Sequence, residues 1–408
     1  MRTLITNIEF LAQVEESDIP CRKGSEMKHL PVLENAFLLI EDGKYSDYGP
    51  MDQAPERADA FIDADGGAVL PGWTDSHTHL VYAGSRELEY RDKILGLTYE
   101  QIAANGGGIL NSAKRLQQTS EAELLDQAWA RLQEIRSFGT CAVEIKSGYG
   151  LTVADELKML RVARTLKEQG DLTVKTTLLG AHALPVEFKQ NRSAYIDSVV
   201  NDMIPQAAGE GLADYCDVFC DRGFFTVEET DRILEAGLKY GLKPKIHANE
   251  LDYSGGIQVG VKHGAISVDH LEFTGEEEMD VLLHSNTMST LLPSTAFFLG
   301  LHYPPARKMM DAGLPVSLAS DYNPGSSPSG NFPFILSLAC IQMRMLPEEA
   351  INAATINAAY ALELQNQLGK IKKGLPANCM LTQKIPSLSY LPYSFGSNLI
   401  KRVITHKI

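Results

Sequence analysis

The chain has little of what builds specialised scaffolds. Among 408 residues there are six cysteines, Cys21, Cys141, Cys216, Cys220, Cys340 and Cys379, with no Cys-x-x-Cys pair. That spacing excludes a disulfide framework and a cysteine zinc cluster, and fits a reduced compartment. No run of ~18 apolar residues exists to span a bilayer. Basic residues are in deficit, 37 Lys and Arg against 52 Asp and Glu for a net charge of -15. Without a basic stripe, nucleic acid and anionic membrane are poor partners. No Walker A or dinucleotide fingerprint occurs. The glycine run Asn105-Gly106-Gly107-Gly108 reads as a turn or hinge, or as part of a lid over a site. The first residues carry Glu9, Glu15, Glu16 and Asp18 and no apolar core of a signal peptide, so a cytoplasmic protein is expected.

What is present points to a large folded enzyme. Hydrophobic residues are 44% and charged residues 22%, enough apolar material for a sizeable core. Residues 1–70 read as β structure, with the apolar run Asn35–Ile40 followed by the hairpin signal Asp42-Gly43. Eight short apolar runs then alternate with helical segments: Ala68–Trp73, Cys141–Ile145, Val174–Leu179, Tyr215–Phe219, Pro244–Ile246, Ala265–Val268, Thr287–Leu292 and Pro315–Ala319. Ser120 and Glu123 make a capping-box pattern for a helix to Phe138. Its expected apolar stripe is Leu125, Ala128, Leu132 and Ile135, and Gly139 ends it. Val153–Lys167 and Glu228–Tyr240 read as further helices. The fold class is α/β: a (β/α)8 TIM barrel over 71–370. From 371 to 408 short β pieces return, and pairing with 1–70 would make one small β domain from both chain ends. A doubly wound sheet needs a topology break that is not visible.

The chemistry falls at the C-terminal ends of the barrel strands, where such barrels build their sites. His77 and His79, two apart in an extended segment, point to one face. His247, Glu250, His270 and Asp321 lie at later strand ends. Three imidazoles and one carboxylate, His77, His79, His247 and Asp321, suit one zinc or iron ion. Such an ion lowers the pKa of a water to ~7, and Glu250 and His270 are placed to move protons beside it. His-x-His alone is a weak signal. The ordered set over four strand ends is much stronger.

The stretches PGWTDSHTHLVYAGSRELEY, EIKSGYGL, LLGAHALP, KIHANEL, VDHLE and SDYNPGSSPS carry a resemblance. From about residue 30 onward the chain resembles the imidazolonepropionase family of the amidohydrolase superfamily. The resemblance implies a barrel with a composite β-sandwich and one zinc or iron ion on His77, His79, His247 and Asp321. It implies ring opening of imidazolone propionate to formimidoylglutamate, in histidine degradation. It also implies that Arg86 binds the propionate, that Tyr149 and His182 touch the substrate, and that Asn323, Gly325 and Ser326 touch substrate or product. Glu250 would contact substrate and carry a proton, and His270 would help activate water. A tetrahedral oxyanion needs donors, for which His182, His270 or the metal are candidates. The leaving nitrogen takes its proton from Glu250 or Asp321.

Other residues receive plainer readings. Lys146 is a structural or supporting residue of a one-metal site, not a carboxylated bridge between two metals. Cys216 and Cys220 are core residues. His29, His263, His284, His302 and His406 are ordinary structural or surface histidines. Gly374-Leu375-Pro376-Ala377-Asn378 departs from the Gly-x-x-Ala-Asp usual in related enzymes. The runner-up function is a deaminase of a nitrogen heterocycle. A non-catalytic barrel would lack ligands, and none is missing. The expected partner is a small-molecule substrate, with a symmetric homodimer as the default assembly.

Overall fold

At Gly72 the chain passes from one sheet into another. A Cβ there would lie 2.0 Å from Cys141 Sγ, so only glycine fits this crossing. The computed structural model describes residues 1–97, 101 and 107–406. Asn105 and Gly106 of the glycine run lie outside the described residues.

Before the crossing stand β1 (Arg2–Ala12), β2 (Val32–Glu41), β3 (Lys44–Pro50), β4 (Ala60–Asp63) and β5 (Gly67–Pro71). They share one seven-stranded sheet with β14 (Cys379–Lys384) and β15 (Ile400–Ile404) from the other end of the chain. β5 is the junction, pairing with β1 in parallel and with β14 in antiparallel. Asp42 and Gly43 both take positive φ, as the expected β2–β3 hairpin requires. Ile5, Ile8, Leu11, Leu38, Val69 and Leu381 form this sheet's core.

After the crossing come the eight parallel strands of the barrel. They are β6 (Trp73–Asp75), β7 (Thr140–Lys146), β8 (Thr173–Ala181), β9 (Tyr215–Cys220), β10 (Lys243–Ala248), β11 (Ser267–His270), β12 (Met288–Leu291) and β13 (Val316–Leu318), paired in sequence order. Ala68–Trp73, expected as barrel strand one, therefore straddles the crossing, and only Trp73 belongs to the barrel. Both halves are buried apolar β-formers, and only their pairing partners separate them. The seam between β13 and β6 closes just beyond the strand ends. His79 N donates to Tyr322 O and Asp321 N to His77 O, each at 2.9 Å. The segments expected to hold the metal are thus joined to each other by main chain.

The helices follow their start signals. Ser120 caps Glu121–Ser137, Thr152 caps Val153–Gln169, and Thr226 with Glu229 forms a complete capping box for Val227–Lys239. In the first of these Leu124, not Leu125, joins Ala128, Leu132 and Ile135 on the buried face. Both positions satisfy helical spacing to Ala128, at i+4 and i+3, and the rotation of the helix chooses between them. Among the described residues no helix is long and apolar enough to cross a membrane.

Candidate metal centre

Four donor atoms converge at the barrel mouth. His77 Nε2 lies 3.1 Å from His247 Nε2, which lies 3.4 Å from His79 Nε2. Asp321 Oδ1 is 3.6 Å from His77 Nε2 and 3.5 Å from His79 Nε2. An ion bound tetrahedrally at about 2.0–2.1 Å from each donor separates those donors by roughly 3.3 Å. The donor set therefore fits one such ion, and His77, His79 and His247 are all buried.

The far side of each imidazole explains this aim. His77 Nδ1 meets Asp269 Oδ2 at 2.6 Å, and His247 Nδ1 meets Asp217 Oδ2 at 3.0 Å. His79 Nδ1 faces Ser147 O at 3.4 Å. These partners accept hydrogen bonds, so each Nδ1 carries the proton and each Nε2 keeps a lone pair for the ion. Burial, with neighbouring cationic or imidazole groups, holds His77 and His79 well below the usual histidine range, so both stay neutral. Asp321 adopts φ 53°, and Asn249, His270 and Leu271 are also left-handed. Such strain collects where side chains must be aimed into a site.

Around the donors lie the other expected residues. Tyr149, on the loop after β7, and His182, after β8, are both buried, with rings 5.3 Å apart. His182 stacks on His79 at 5.2 Å, and its Nδ1 bonds Gly148 O at 2.9 Å. Burial lowers His182 to about 3. A neutral ring that gives its Nδ1 proton to a carbonyl has an accepting Nε2. Glu250 Oε2 stands 3.8 Å from His270 Nδ1. Burial, with Asp321 and Asp221 nearby, raises Glu250 to about 8. Neither ring nitrogen of His270 finds a hydrogen-bond partner among the described residues, and its ring lies 5.5 Å from that of His77.

The residues expected to meet the propionate lie on the loops after β6 and β13. Glu89 takes Arg86 Nε at 2.8 Å and Nη2 at 2.5 Å. A Cβ on Gly325 would sit 2.2 Å from Arg86 Nη1, so the bare glycine makes room for the guanidinium. Asn323 spends its side chain on its own loop. Its oxygen accepts from Gly325 N and Ser326 N, each at 2.8 Å, and its nitrogen donates to Asp321 O at 2.7 Å.

Sequence reasoning missed several supporting residues. Asp217 and Asp269 brace the histidines. Thr295 Oγ1 donates to Asp321 Oδ2 at 2.6 Å. Glu156 accepts from Gly148 N, Gly150 N and Leu151 N at 2.7–2.8 Å. Charged residues at barrel-facing positions were the available signal, since a buried charge needs a partner.

The amidohydrolase family model matches residues 225–404. Over 404 residues the chain is 55% identical to the imidazolonepropionase of Christiangramia forsetii, covering 99% of this chain and 98% of that relative. It is 41% identical over 384 residues to that of Thermoanaerobacter pseudethanolicus, covering 94% and 92%. In fold it is similar to a 5-methylcytosine deaminase from Klebsiella pneumoniae, with TM-score 0.76 at 17% identity, covering 100% of this chain and 97% of the other. It is also similar to a guanine deaminase from C. acetobutylicum, with TM-score 0.72 at 15% identity, covering 100% and 99%. At those identities the likeness is one of fold alone.

Proposed function

The chain belongs to the imidazolonepropionase family of amidohydrolases, and on that premise we propose how its residues convert 4-imidazolone-5-propanoate to N-formimidoyl-L-glutamate. It is a metal-dependent hydrolase of a non-peptide carbon–nitrogen bond. One observation carries the assignment of the site: three Nε2 atoms and Asp321 Oδ1 converge while every imidazole gives its Nδ1 side to an acceptor. His77, His79, His247 and Asp321 would hold one ion, zinc or iron. When bound, the ion supplies Lewis acidity and a water whose pKa falls to ~7.

The chain's own groups do the rest. Arg86, fixed by Glu89, presents Nη1 beside Gly325 to the propionate. The Asn323–Ser326 turn frames that corner. Tyr149 and His182 flank the ring. Because His182 Nε2 accepts, it takes a ring N–H rather than donating to an oxyanion, which revises its expected role. His270, whose ring nitrogens have no hydrogen-bond partner among the described residues, bonds the lactam oxygen and helps activate the water. Glu250, raised to about 8, exchanges protons near neutrality. It carries one to the leaving nitrogen while Asp321, held by Thr295, stays an ionised ligand. In this reading 71–370 is the catalytic barrel, and 1–70 with 371–408 form the small β domain. The setting is cytoplasmic and the assembly a homodimer.

The test is turnover of freshly prepared imidazolone propionate, followed by loss of ultraviolet absorbance and by product mass. Formimidoylglutamate without ammonia is expected. Ammonia release from a nitrogen heterocycle, with no imidazolone turnover by folded, metal-loaded protein, would overturn the assignment in favour of a deaminase.

A further inference from the structure

Beneath the metal centre five buried charged side chains of the barrel form one network. Glu144 and Lys146 lie two apart on β7, and so face the same side. Asp217 on β9 is paired in register with Lys245 on β10, and Asp269 on β11 with His247. All five side chains are fully buried. Lys146 Nζ is 2.7 Å from Glu144 Oε1, 2.8 Å from Asp217 Oδ2 and 3.7 Å from Asp269 Oδ2. Lys245 Nζ pairs with Glu144 Oε2 and donates to Ser76 O at 2.9 Å. Asp217 Oδ1 also accepts from His247 N at 3.1 Å, and Asp269 Oδ1 from Ser267 Oγ at 2.6 Å. None of these charged atoms is left without a partner.

We propose that Lys146 is a positioning residue of the metal centre, acting on His247 through Asp217 and on His77 through Asp269. The inference rests on the reading of His77 and His247 as ligands. Its physical basis is that a buried carboxylate keeps its charge and orientation only with a counter-charge beside it. Lys146 stands between the two carboxylates that fix the imidazoles, and it touches neither imidazole. Burial alone would lower Lys146, but Asp217, Glu144 and Asp269 outweigh it and keep the ammonium charged. His79 lies outside the network, because its Nδ1 faces a main-chain carbonyl. It serves as an internal control.

The experiment measures zinc affinity by chelator competition on the full-length protein, with 15N histidine spectra of each metal-free variant. Lys146→Met is expected to weaken zinc binding ~10–100-fold, as loss of such outer partners does. It should shift the Nδ1 signals of His77 and His247 and leave that of His79 in place. Because an unbalanced buried charge threatens folding, Lys146→Met is also placed in an Asp217→Asn/Asp269→Asn background. There it leaves Glu144 and Lys245 as one balanced pair. If Lys146 acts through the two carboxylates, it changes zinc affinity less than twofold in that background. A further tenfold loss there, or wild-type affinity in the single variant, overturns the proposal. Failure of the wild-type protein to bind zinc would instead overturn the metal-site reading.

Discussion

Thr295 and Asp321 share a 2.6 Å hydrogen bond in which the threonine hydroxyl donates to Oδ2, leaving Oδ1 turned toward His77 and His79. The expected consequence is that Thr295→Val, which keeps shape and removes the donor, lets the carboxylate rotate. Metal affinity should fall ~10-fold or more, with a matching loss in kcat and little change in KM. Unchanged affinity in a chelator competition would show that Asp321 is fixed by other contacts.

Glu156 governs the loop that carries Tyr149. Its carboxylate satisfies three main-chain N–H groups that are otherwise buried without partners. Each orphaned group costs roughly 1–3 kcal/mol. Glu156→Gln replaces one accepting oxygen with a donor, and should destabilise the protein by about 1–3 kcal/mol. It should also raise KM with metal content intact. Denaturant unfolding and steady-state kinetics check the two arms separately.

Arg86 is the expected propionate clamp. Arg86→Met should raise KM ~100-fold, the scale for truncating one partner of a buried, hydrogen-bonded charge pair. An analogue lacking the carboxylate should be handled equally by both proteins. A KM penalty that persists with that analogue would place Arg86's contribution elsewhere.

Glu250 gives a pH dependence of known sign. Its value rises from 4.5 to about 8 on folding, chiefly through burial. Between those pH values the folded protein keeps a proton that the unfolded chain has released, so stability falls as pH rises through the window. Glu250→Gln is neutral throughout and escapes that loss. In the metal-free protein it should raise Tm by roughly 3–6 °C at pH 8.5 and by little at pH 5. Equal Tm differences at the two pH values would refute the burial argument.

The architecture was legible because strand–helix alternation leaves a strong periodic trace, and the site because candidate ligands and proton carriers fall in order at four strand ends. The crossing at Gly72 was not legible, since Trp73 at the start of β6 is as buried and apolar as β5 and differs only in partner. Leu124 and Leu125 could not be separated by spacing, because i+3 and i+4 neighbours of Ala128 both satisfy a helix. The charged network had a visible signal in the alternation Glu144-Ile145-Lys146 and Lys245-Ile246-His247. In a strand of period two those residues must share the barrel interior. Their partners are distant in sequence, so the pairing itself required the fold. His182 needed its Gly148 hydrogen bond before its tautomer, and so its role, could be fixed.

The most direct test of the account is reconstitution. Metal-free protein is titrated with zinc or ferrous ion while ring opening of imidazolone propionate is followed by absorbance and product mass. The account predicts no turnover before addition, a break at one ion per chain, and no recovery in His247→Ala. Turnover by the fully stripped protein, or full recovery in His247→Ala, would contradict it.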